Sequence, residues 1–495
     1  MTESLVLAIR RRMQGEMLYK NEKPPVICAD VDGTIILTDL LYESLLLVLK
    51  REPLTFLLLP FWLLRGRAHL KKMLAKRAST LAVDLLPLND GVVEYLRQAS
   101  NNGQRIVLAS ASHRSLVERV ATRLGFVSEV IATDGVLNCK GAAKAQAINA
   151  HLGGEAWEYV GDSKADIKVW GSAASVVCTT ASASFGRRIV AAYPGATIIP
   201  KQPMRLRTIL KALRLHQWLK NVLLFAPLIL AHQWFNLAAL SATIAAVISF
   251  SLCASGVYLM NDLLDLEADR QHPRKRKRPC ASGRMPLALG MLLAPLLFVV
   301  SFLVAYVVSP AFSVILALYL CLTTAYSYRL KAYALIDIIV LAFLYTMRIV
   351  AGGVVSEVHL SQWLLALSMF IFFSLACVKR FSELIVLQQR NESKTWGRGY
   401  SVGDLEQVAA FGTSSAYIAV LVLALYVSSK EISALYTTPE VIYLACPLLL
   451  YWVSRIWLLA RRGLVHDDPL VFALRDKVTY AIAMIGLLIF VGAKW

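Results

Sequence analysis

Asn261-Asp262-Leu263-Leu264-Asp265-Leu266-Glu267-Ala268-Asp269-Arg270, running on through His272-Pro273-Arg274-Lys275-Arg276-Lys277-Arg278-Pro279, follows directly on an apolar run and decides how the chain is read. On a helix Asp262, Asp265 and Asp269 step by three and four, which places three carboxylates on one face with Asn261 beside them. Such a face repels itself. Like charges this close either raise one another's pKa or call for a bound cation, and hard oxygen donors without His or Cys point to Mg²⁺, which bridges to phosphate oxygens. The seven Lys and Arg residues from Arg270 to Arg284 supply the opposite charge that a polyphosphate needs. The stretch reads as a diphosphate–Mg²⁺ site at the water-facing end of a transmembrane helix. Acid spacing placed directly after an apolar span weighs against a merely solvated, mixed-charge loop.

Outward from this stretch the composition is uneven. The chain has 495 residues, of which 57% are hydrophobic, and a mean hydropathy of +0.56, too apolar for an ordinary soluble protein. Up to about residue 205 it is mixed in character, whereas beyond Leu219 it becomes a succession of apolar runs of roughly 20 residues, the length that crosses a bilayer. The net charge of +19 could suggest nucleic acid. Its basic residues cluster in alternate loops between apolar spans, however, which is a membrane-topology pattern, so no nucleic-acid partner is expected. Eight cysteines, at 28, 139, 178, 253, 280, 321, 377 and 446, show no paired metal-ligand spacing and predict reduced thiols without structural zinc. Residues 1–23 read as a basic leader whose one apolar run, Leu5 to Ile9, precedes Arg10-Arg11-Arg12, so no cleavable signal is expected.

In the soluble half, Pro25-Val26-Ile27-Cys28-Ala29-Asp30-Val31-Asp32-Gly33-Thr34 reads as a short buried strand ending in two carboxylates and a turn. Three further stretches follow in order. Arg105 to Ser110 is a strand ending in a hydroxyl, Lys140-Gly141-Ala142-Ala143-Lys144 opens a helix, and Glu158-Tyr159-Val160-Gly161-Asp162-Ser163-Lys164-Ala165-Asp166 is a strand running into acids. This set resembles the haloacid dehalogenase-like phosphatase superfamily over residues 24–185. The resemblance implies that Asp30 attacks phosphorus to give an aspartyl-phosphate while Asp32 protonates the leaving oxygen and then activates water. Mg²⁺ would be held by Asp30, Asp162 and Asp166, and Thr34, Ser110 and Lys144, with Lys140 a weaker candidate for the lysine role, would hold the transferring oxygens. Strands alternating with helical patterns predict a parallel sheet with its site at the carboxyl ends of the strands. An insertion at about 36–104 falls where this superfamily places a helical cap. Its Leu-rich runs, Leu40 to Lys50 and Leu54 to Leu64, are too short to span and are flanked by Arg51, Arg65, Arg67, Lys71 and Lys72. A buried cap core is the default reading; the sharper one lays these helices on a membrane surface.

A connector over 186–215, with Arg187, Arg188, Lys201, Arg205, Arg207, Lys211 and Arg214, suits anionic headgroups. Nine spans are expected near 217–235, 237–260, 286–307, 311–329, 334–354, 361–386, 408–427, 437–460 and 477–494. Basic residues gather in the loops after even-numbered spans, which predicts an integral protein of the inner membrane with the phosphatase domain and both sites facing the cytoplasm.

Residues from about 205 to 495, with the transmembrane domain set at 216–495, resemble the UbiA-type intramembrane prenyltransferase superfamily, and more narrowly its polyprenyl-phosphate phosphoribosyltransferase branch. The resemblance is carried by Leu213 to Asn221, Asp269 to Pro279, Tyr326 to Lys331 with Asp337, Arg348 to Gly353, Val378 to Glu383 and His466 to Asp476. Unlike aromatic prenyltransferases, the chain has a lone Asp337 where a second Asp-rich motif would stand, and no further acid until Glu357. The fold class that follows is multidomain: an N-terminal α/β Rossmann-like domain of haloacid dehalogenase type with a helical cap, then an all-α nine-helix transmembrane bundle.

The branch resemblance implies transfer of 5-phosphoribose from 5-phosphoribosyl diphosphate to a polyprenyl phosphate, with one Mg²⁺ in each domain. Asn261, Asp262, Asp265 and Asp269 would hold the metal, with catalytic weight on Asp262 and Asp265, and Lys220, Lys275, Arg278, Lys331, Arg348 and Lys379 would clamp phosphates. Gln217, Asn221, Arg270 and Asp337 would support them. Arg348 would lie inside a span, where an unpaired charge costs about 2.5–3.5 kcal/mol, and Asp337 is its expected partner. His216 and His272 are read as neutral structural groups, and Tyr258, Tyr326 and Tyr345 as packing or cavity-lining residues. The soluble domain would remove the ribose 5-phosphate of the lipid product. The alternatives are a prenyltransferase moving a prenyl chain from its diphosphate to an aromatic or other acceptor, and a membrane half that only anchors the phosphatase. A homo-oligomer is compatible with all of these.

Overall fold

The computed structural model describes residues 26–134, 139–390, 398–429, 432, 436–465, 468–473 and 475–493. The basic leader at 1–23 and His466 of the last quoted motif lie outside them. The chain forms two compact units, one of residues 1–213 with 259–293, the other of 214–258 with 294–495.

In the first unit six parallel strands form one sheet in the order β3-β2-β1-β4-β5-β6, with β1 Val26–Ala29, β2 Ile106–His113, β3 Glu129–Thr133, β4 Trp157–Gly161, β5 Ser175–Thr180 and β6 Thr197–Pro200. Side chains alternate across a strand. Ile27 and Ala29 therefore join one core with Ile106, Leu108 and Val160, while Val26 and Cys28 join another on the opposite face with Val107, Trp157 and Tyr159. Burial on both faces is why these strands read as nearly continuous apolar runs rather than as alternating ones. The order reverses between β1 and β4, and the loops after these two strands open the crevice where ligands of such sheets bind.

Between β1 and β2 the chain is helical: Leu40–Arg51, Pro53–Leu64 in two short pieces, and Arg67–Arg77, followed by Asp90–Asn101 packed on the sheet through Val92, Leu96 and Ala99. The two Leu-rich runs take different fates. Leu40, Leu46, Leu47 and Val48 are buried, as a cap core requires, whereas most of Leu54 to Leu64 faces outward.

Seven helices among the described residues are long and apolar enough to cross a membrane: Leu237–Leu264, Leu287–Val308, Pro310–Tyr328, Ile336–Val355, Gln362–Gln389, Val402–Val427 and Pro439–Arg461. The protein is an integral membrane protein. The expected first and ninth spans are instead the shorter apolar helices Leu215–Leu230 and Lys477–Gly492. The first begins as a 3₁₀ stretch, Leu215–Phe225, in which each residue rises about 2.0 Å rather than the roughly 1.5 Å of an α-helix, before Pro227 restarts it as an α-helix. In the second unit helices pack closely through small residues: a Cβ on Gly412 would collide with Trp457 and Cys377.

Candidate functional site

The first site lies at the carboxyl ends of β1 and β4. The backbone N–H of Asp30 donates to the Val160 carbonyl at 2.9 Å, which fixes the loop after β1 against β4. Gly33 then turns with φ +76°, and a Cβ there would lie 2.6 Å from Oδ2 of Asp162, so only glycine fits. Ligand oxygens of Asp30, Asp162 and Asp166 all lie within 4.8 Å of one another, and no other such group of three occurs among the described residues. An all-oxygen, hard donor set of this size suits Mg²⁺.

Charge is arranged around these acids. Lys144, 3% exposed, places Nζ 2.9 Å from Asp30 Oδ1 and 3.9 Å from Asp166 Oδ1, and donates to the Tyr159 hydroxyl at 2.9 Å. Tyr159 donates in turn to Asp166 at 3.1 Å. Asp166 Oδ2 accepts from the backbone of Asp162 and Ser163 and from the Ser163 hydroxyl, which orients it. Lys201 lies 3.6 Å from Asp162. Burial pushes Asp30 up to about 7 despite Lys144, and Asp162 up to about 7 despite Lys201. Lys144 keeps its proton because Asp30 and Asp166 outweigh its burial. Three carboxyls gathered this closely, Asp30 and Asp162 both raised, are short of positive charge, which a divalent cation would supply.

Asp32 sits differently. Its Oδ1 accepts the Leu40 amide at 2.8 Å and its Oδ2 accepts the hydroxyls of Ser112 at 2.6 Å and Ser110 at 3.2 Å. Burial and the nearby Asp39 raise it to about 6, which places a proton donor and acceptor near neutrality. Of the residues expected here, Thr34 is fully buried and Lys140 is exposed. Sequence reasoning missed Ser112, Lys201, Tyr159 and Lys71, whose Nζ reaches the Ala111 carbonyl from the helical insertion at 2.6 Å. Ser112 had a signal, standing two residues after Ser110 on one face of β2; Lys71 and Lys201 had none.

In the same unit lies the Asn261 stretch. Helical hydrogen bonding runs through it, Asp265 N to Asn261 O and Asp269 N to Asp265 O, but the backbone at Asp265 departs to φ −102°, ψ 21° and separates the spanning helix from the short Leu266–Gln271. The three acids of the expected face take different partners. Arg278 bridges the buried Asp262 and Asp269 at 3.1 and 2.7 Å, while Asp265 turns to Lys50 at 2.9 Å. Arg270 is buried against Glu43. Lys275 is exposed, and His272 Nδ1 accepts the amides of Arg274 and Lys275, a local structural role.

The second unit gathers another group. Asp468 Oδ2 accepts Lys220 at 2.7 Å and Lys379 at 3.1 Å, and its Oδ1 accepts the Tyr345 hydroxyl at 3.0 Å and the Leu470 amide at 3.2 Å. Burial works to raise Asp468, and Lys379 and Lys220 outweigh it to hold the carboxyl below its usual range. Lys379 and Asp468 line a small cleft with Leu341, Leu375 and Ala376. Asp468 was not among the expected site residues although it stood in a quoted motif. Arg348 does not pair with Asp337: it donates to Asn221 at 2.9 Å and to the Tyr319 hydroxyl at 3.2 Å, with its guanidinium 5.2 Å from the Phe250 ring centroid. Asp337 pairs instead with Arg380 at 2.7 Å and accepts the Tyr326 hydroxyl. The reason is spacing, since residues 337 and 348 stand three turns, about 16 Å, apart on one helix. Lys331 lies partly exposed on the turn Leu330–Ala332, outside this group, and Gln217 is partly buried in the 3₁₀ stretch.

Residues 222–490 match the UbiA prenyltransferase family. The chain belongs to that family. Residues 27–170 match the haloacid dehalogenase-like hydrolases, so this UbiA protein carries a second, N-terminal catalytic type of domain. It is 34% identical to the uncharacterized protein y4nM of Sinorhizobium fredii across 99% of this chain and 95% of that one. It is also 34% identical to the nodulation protein NoeC of Azorhizobium caulinodans, over 57% of this chain and 91% of NoeC. To the decaprenyl-phosphate phosphoribosyltransferase of Mycobacterium tuberculosis it is 38% identical over 36% of this chain and 60% of that enzyme.

Proposed function

We propose that the UbiA half transfers 5-phosphoribose from 5-phosphoribosyl diphosphate to a polyprenyl phosphate, and that the N-terminal half removes the 5-phosphate of the lipid product. The observation that carries the reading is the convergence of Lys220 and Lys379 on the one carboxylate of Asp468. Two ammonium groups on one buried carboxylate leave a positive charge in excess, which a phosphate completes. The 38% identity to a mycobacterial enzyme named for this reaction supports it.

Asn261, Asp262, Asp265 and Asp269 are all oxygen donors, and Asp262 with Asp269 already embraces one cation, the Arg278 guanidinium. These residues would hold Mg²⁺, which on binding neutralises the donor's diphosphate so that it can depart as pyrophosphate. Lys220 and Lys379 bind and orient phosphate, and Arg348, fixed by Asn221 and Tyr319, contributes fixed positive charge without having to reorganise.

In the phosphatase half, Asp30, Asp162 and Asp166 would hold a second Mg²⁺. The Asp30 carboxylate attacks phosphorus; the bond to the leaving ribose oxygen breaks, and Asp32 supplies that oxygen with a proton. Asp32 then takes a proton from the water that hydrolyses the aspartyl-phosphate. Lys144 holds Asp30 in place and offers charge to the transferring oxygens.

The test supplies radiolabelled 5-phosphoribosyl diphosphate and polyprenyl phosphate to membranes containing the wild type or Asp30→Asn. Label should enter lipid in both, and only the variant should accumulate a lipid carrying the second phosphate. No label in lipid, with transfer seen from a prenyl diphosphate instead, would support the conventional prenyltransferase reading.

A further inference from the structure

We infer that the arm Pro53–Leu64 of the phosphatase domain is inserted in the lipid interface of the bilayer that holds the spanning helices. Over this arm Leu54, Phe56, Leu57, Phe61, Leu63 and Leu64 all point outward, with Leu54 79%, Phe61 65% and Leu64 85% exposed. A soluble domain does not present so dense an apolar face to water without a partner. The arm is also firmly seated from behind, because Trp62 and Thr55 are buried and the Arg77 guanidinium stacks 4.6 Å above the Trp62 ring. Its apolar face is therefore a fixed feature of the surface.

Three observations select a membrane as the occupant. The first is position. Lys50, three residues before the arm begins, pairs with Asp265 at 2.9 Å, and Asp265 directly follows the spanning helix Leu237–Leu264. The buried Glu43–Arg270 pair fixes the preceding turns of the same helix, Leu40–Arg51, to the same segment. The base of the arm is thus held where the chain leaves the bilayer. The second is charge: the arm itself contains no ionisable residue, while Arg65, Arg67, Lys72 and Lys76 are exposed immediately after it, the order in which acyl chains and anionic headgroups would be met. The third is length. At twelve residues the arm cannot cross the hydrocarbon core, so it lies within one leaflet. A second copy of the chain would satisfy the apolar face but gives no account of the basic border.

The inference is independent of the proposed reactions and is read without turnover. Full-length protein with the accessible Cys321 and Cys446 replaced by serine is given Phe61→Cys, labelled with an environment-sensitive fluorophore and reconstituted in vesicles of phosphatidylcholine and phosphatidylglycerol. The label should be quenched by nitroxide-bearing lipids and shielded from aqueous iodide, whereas a label at Lys76→Cys should respond the other way. Leu64→Cys repeats the measurement should the first variant fold poorly. Equal iodide quenching at 61 and 76 would overturn the inference, and so would self-quenching between labelled copies that vanishes on dilution with unlabelled protein, which would make the arm a contact between chains.

Discussion

Arg270 and Glu43 meet in a buried, two-point ion pair, with Nη2 to Oε1 at 2.6 Å and Nη1 to Oε2 at 3.1 Å, and their side chains are only 5% and 2% exposed. Arg270 also donates from Nε to the Ala281 carbonyl. The pair joins the helical insertion of the phosphatase domain to the segment that bears Asp262 and Asp269. Glu43→Ala strands a guanidinium in that pocket and should cost about 3–5 kcal/mol, whereas Glu43→Leu combined with Arg270→Met should recover most of the loss. Thermal unfolding of the purified full-length variants measures this; a Glu43→Ala protein that melts like the wild type contradicts it.

Gly33→Ala should cost the phosphatase at least tenfold in rate while leaving the lipid-transfer reaction intact. The new methyl group has to displace Asp162 from the acid cluster, and the φ of +76° adds strain of its own. Separate assays of dephosphorylation and of label transfer to lipid discriminate local damage at the first site from general unfolding, which would remove both.

The acids of the first site predict a pH dependence. With chelator present, Asp30 and Asp162 are raised to about 7, so the folded chain binds protons that the unfolded chain has already released. Stability from these groups is full below the ordinary carboxylate range and is lost as pH rises from there through about 7. The melting temperature of the metal-free protein should therefore fall between pH 5.5 and pH 8, and fall less in Asp30→Asn. Added Mg²⁺ needs the ionised carboxylates, so its stabilising effect should grow over the same interval.

How much of this was legible in the sequence follows from which forces are local. Strand β1 and its Asp30-x-Asp32-Gly33 turn could be read because a parallel strand buried on both faces and a loop needing φ above zero leave a pattern within ten residues. Lys144 was legible over Lys140 through the same local order. Partners supplied by distant elements were not: Lys71 from the insertion, Lys201 after β6, and Asp468 as the meeting point of Lys220 and Lys379 carry no spacing signal. The acidic spacing of Asp262, Asp265 and Asp269 predicted one face, but not that Arg278 would take Asp262 and Asp269 while Lys50, distant in sequence, takes Asp265. Apolar length placed nine runs, of which seven are long continuous helices among the described residues, while Pro227 and the 3₁₀ stretch break the first into two pieces, which run length alone does not show.

Lys220→Met and Lys379→Met should each raise the KM for the phosphate-bearing substrate roughly tenfold, the loss of one charge-assisted hydrogen bond of about 1.5 kcal/mol. Asp468→Asn leaves both ammonium groups without their counter-ion and should be the more destabilising change. Kinetics with varied polyprenyl phosphate and 5-phosphoribosyl diphosphate assign each lysine to donor or acceptor, and an unchanged KM for both substrates in both lysine variants would remove the cluster from the site.

The central claim is that the acids at and just beyond the end of the spanning helix Leu237–Leu264 grip the metal-bound diphosphate of a sugar donor. Calorimetric titration of 5-phosphoribosyl diphosphate into purified full-length protein, with and without Mg²⁺, tests it most directly when wild type, Asp30→Asn and a doubly substituted Asp262→Asn, Asp269→Asn protein are compared. Binding should require Mg²⁺, persist in Asp30→Asn and disappear in the double variant. Absence of binding in the wild type, or binding unaffected by loss of Asp262 and Asp269, would contradict the account.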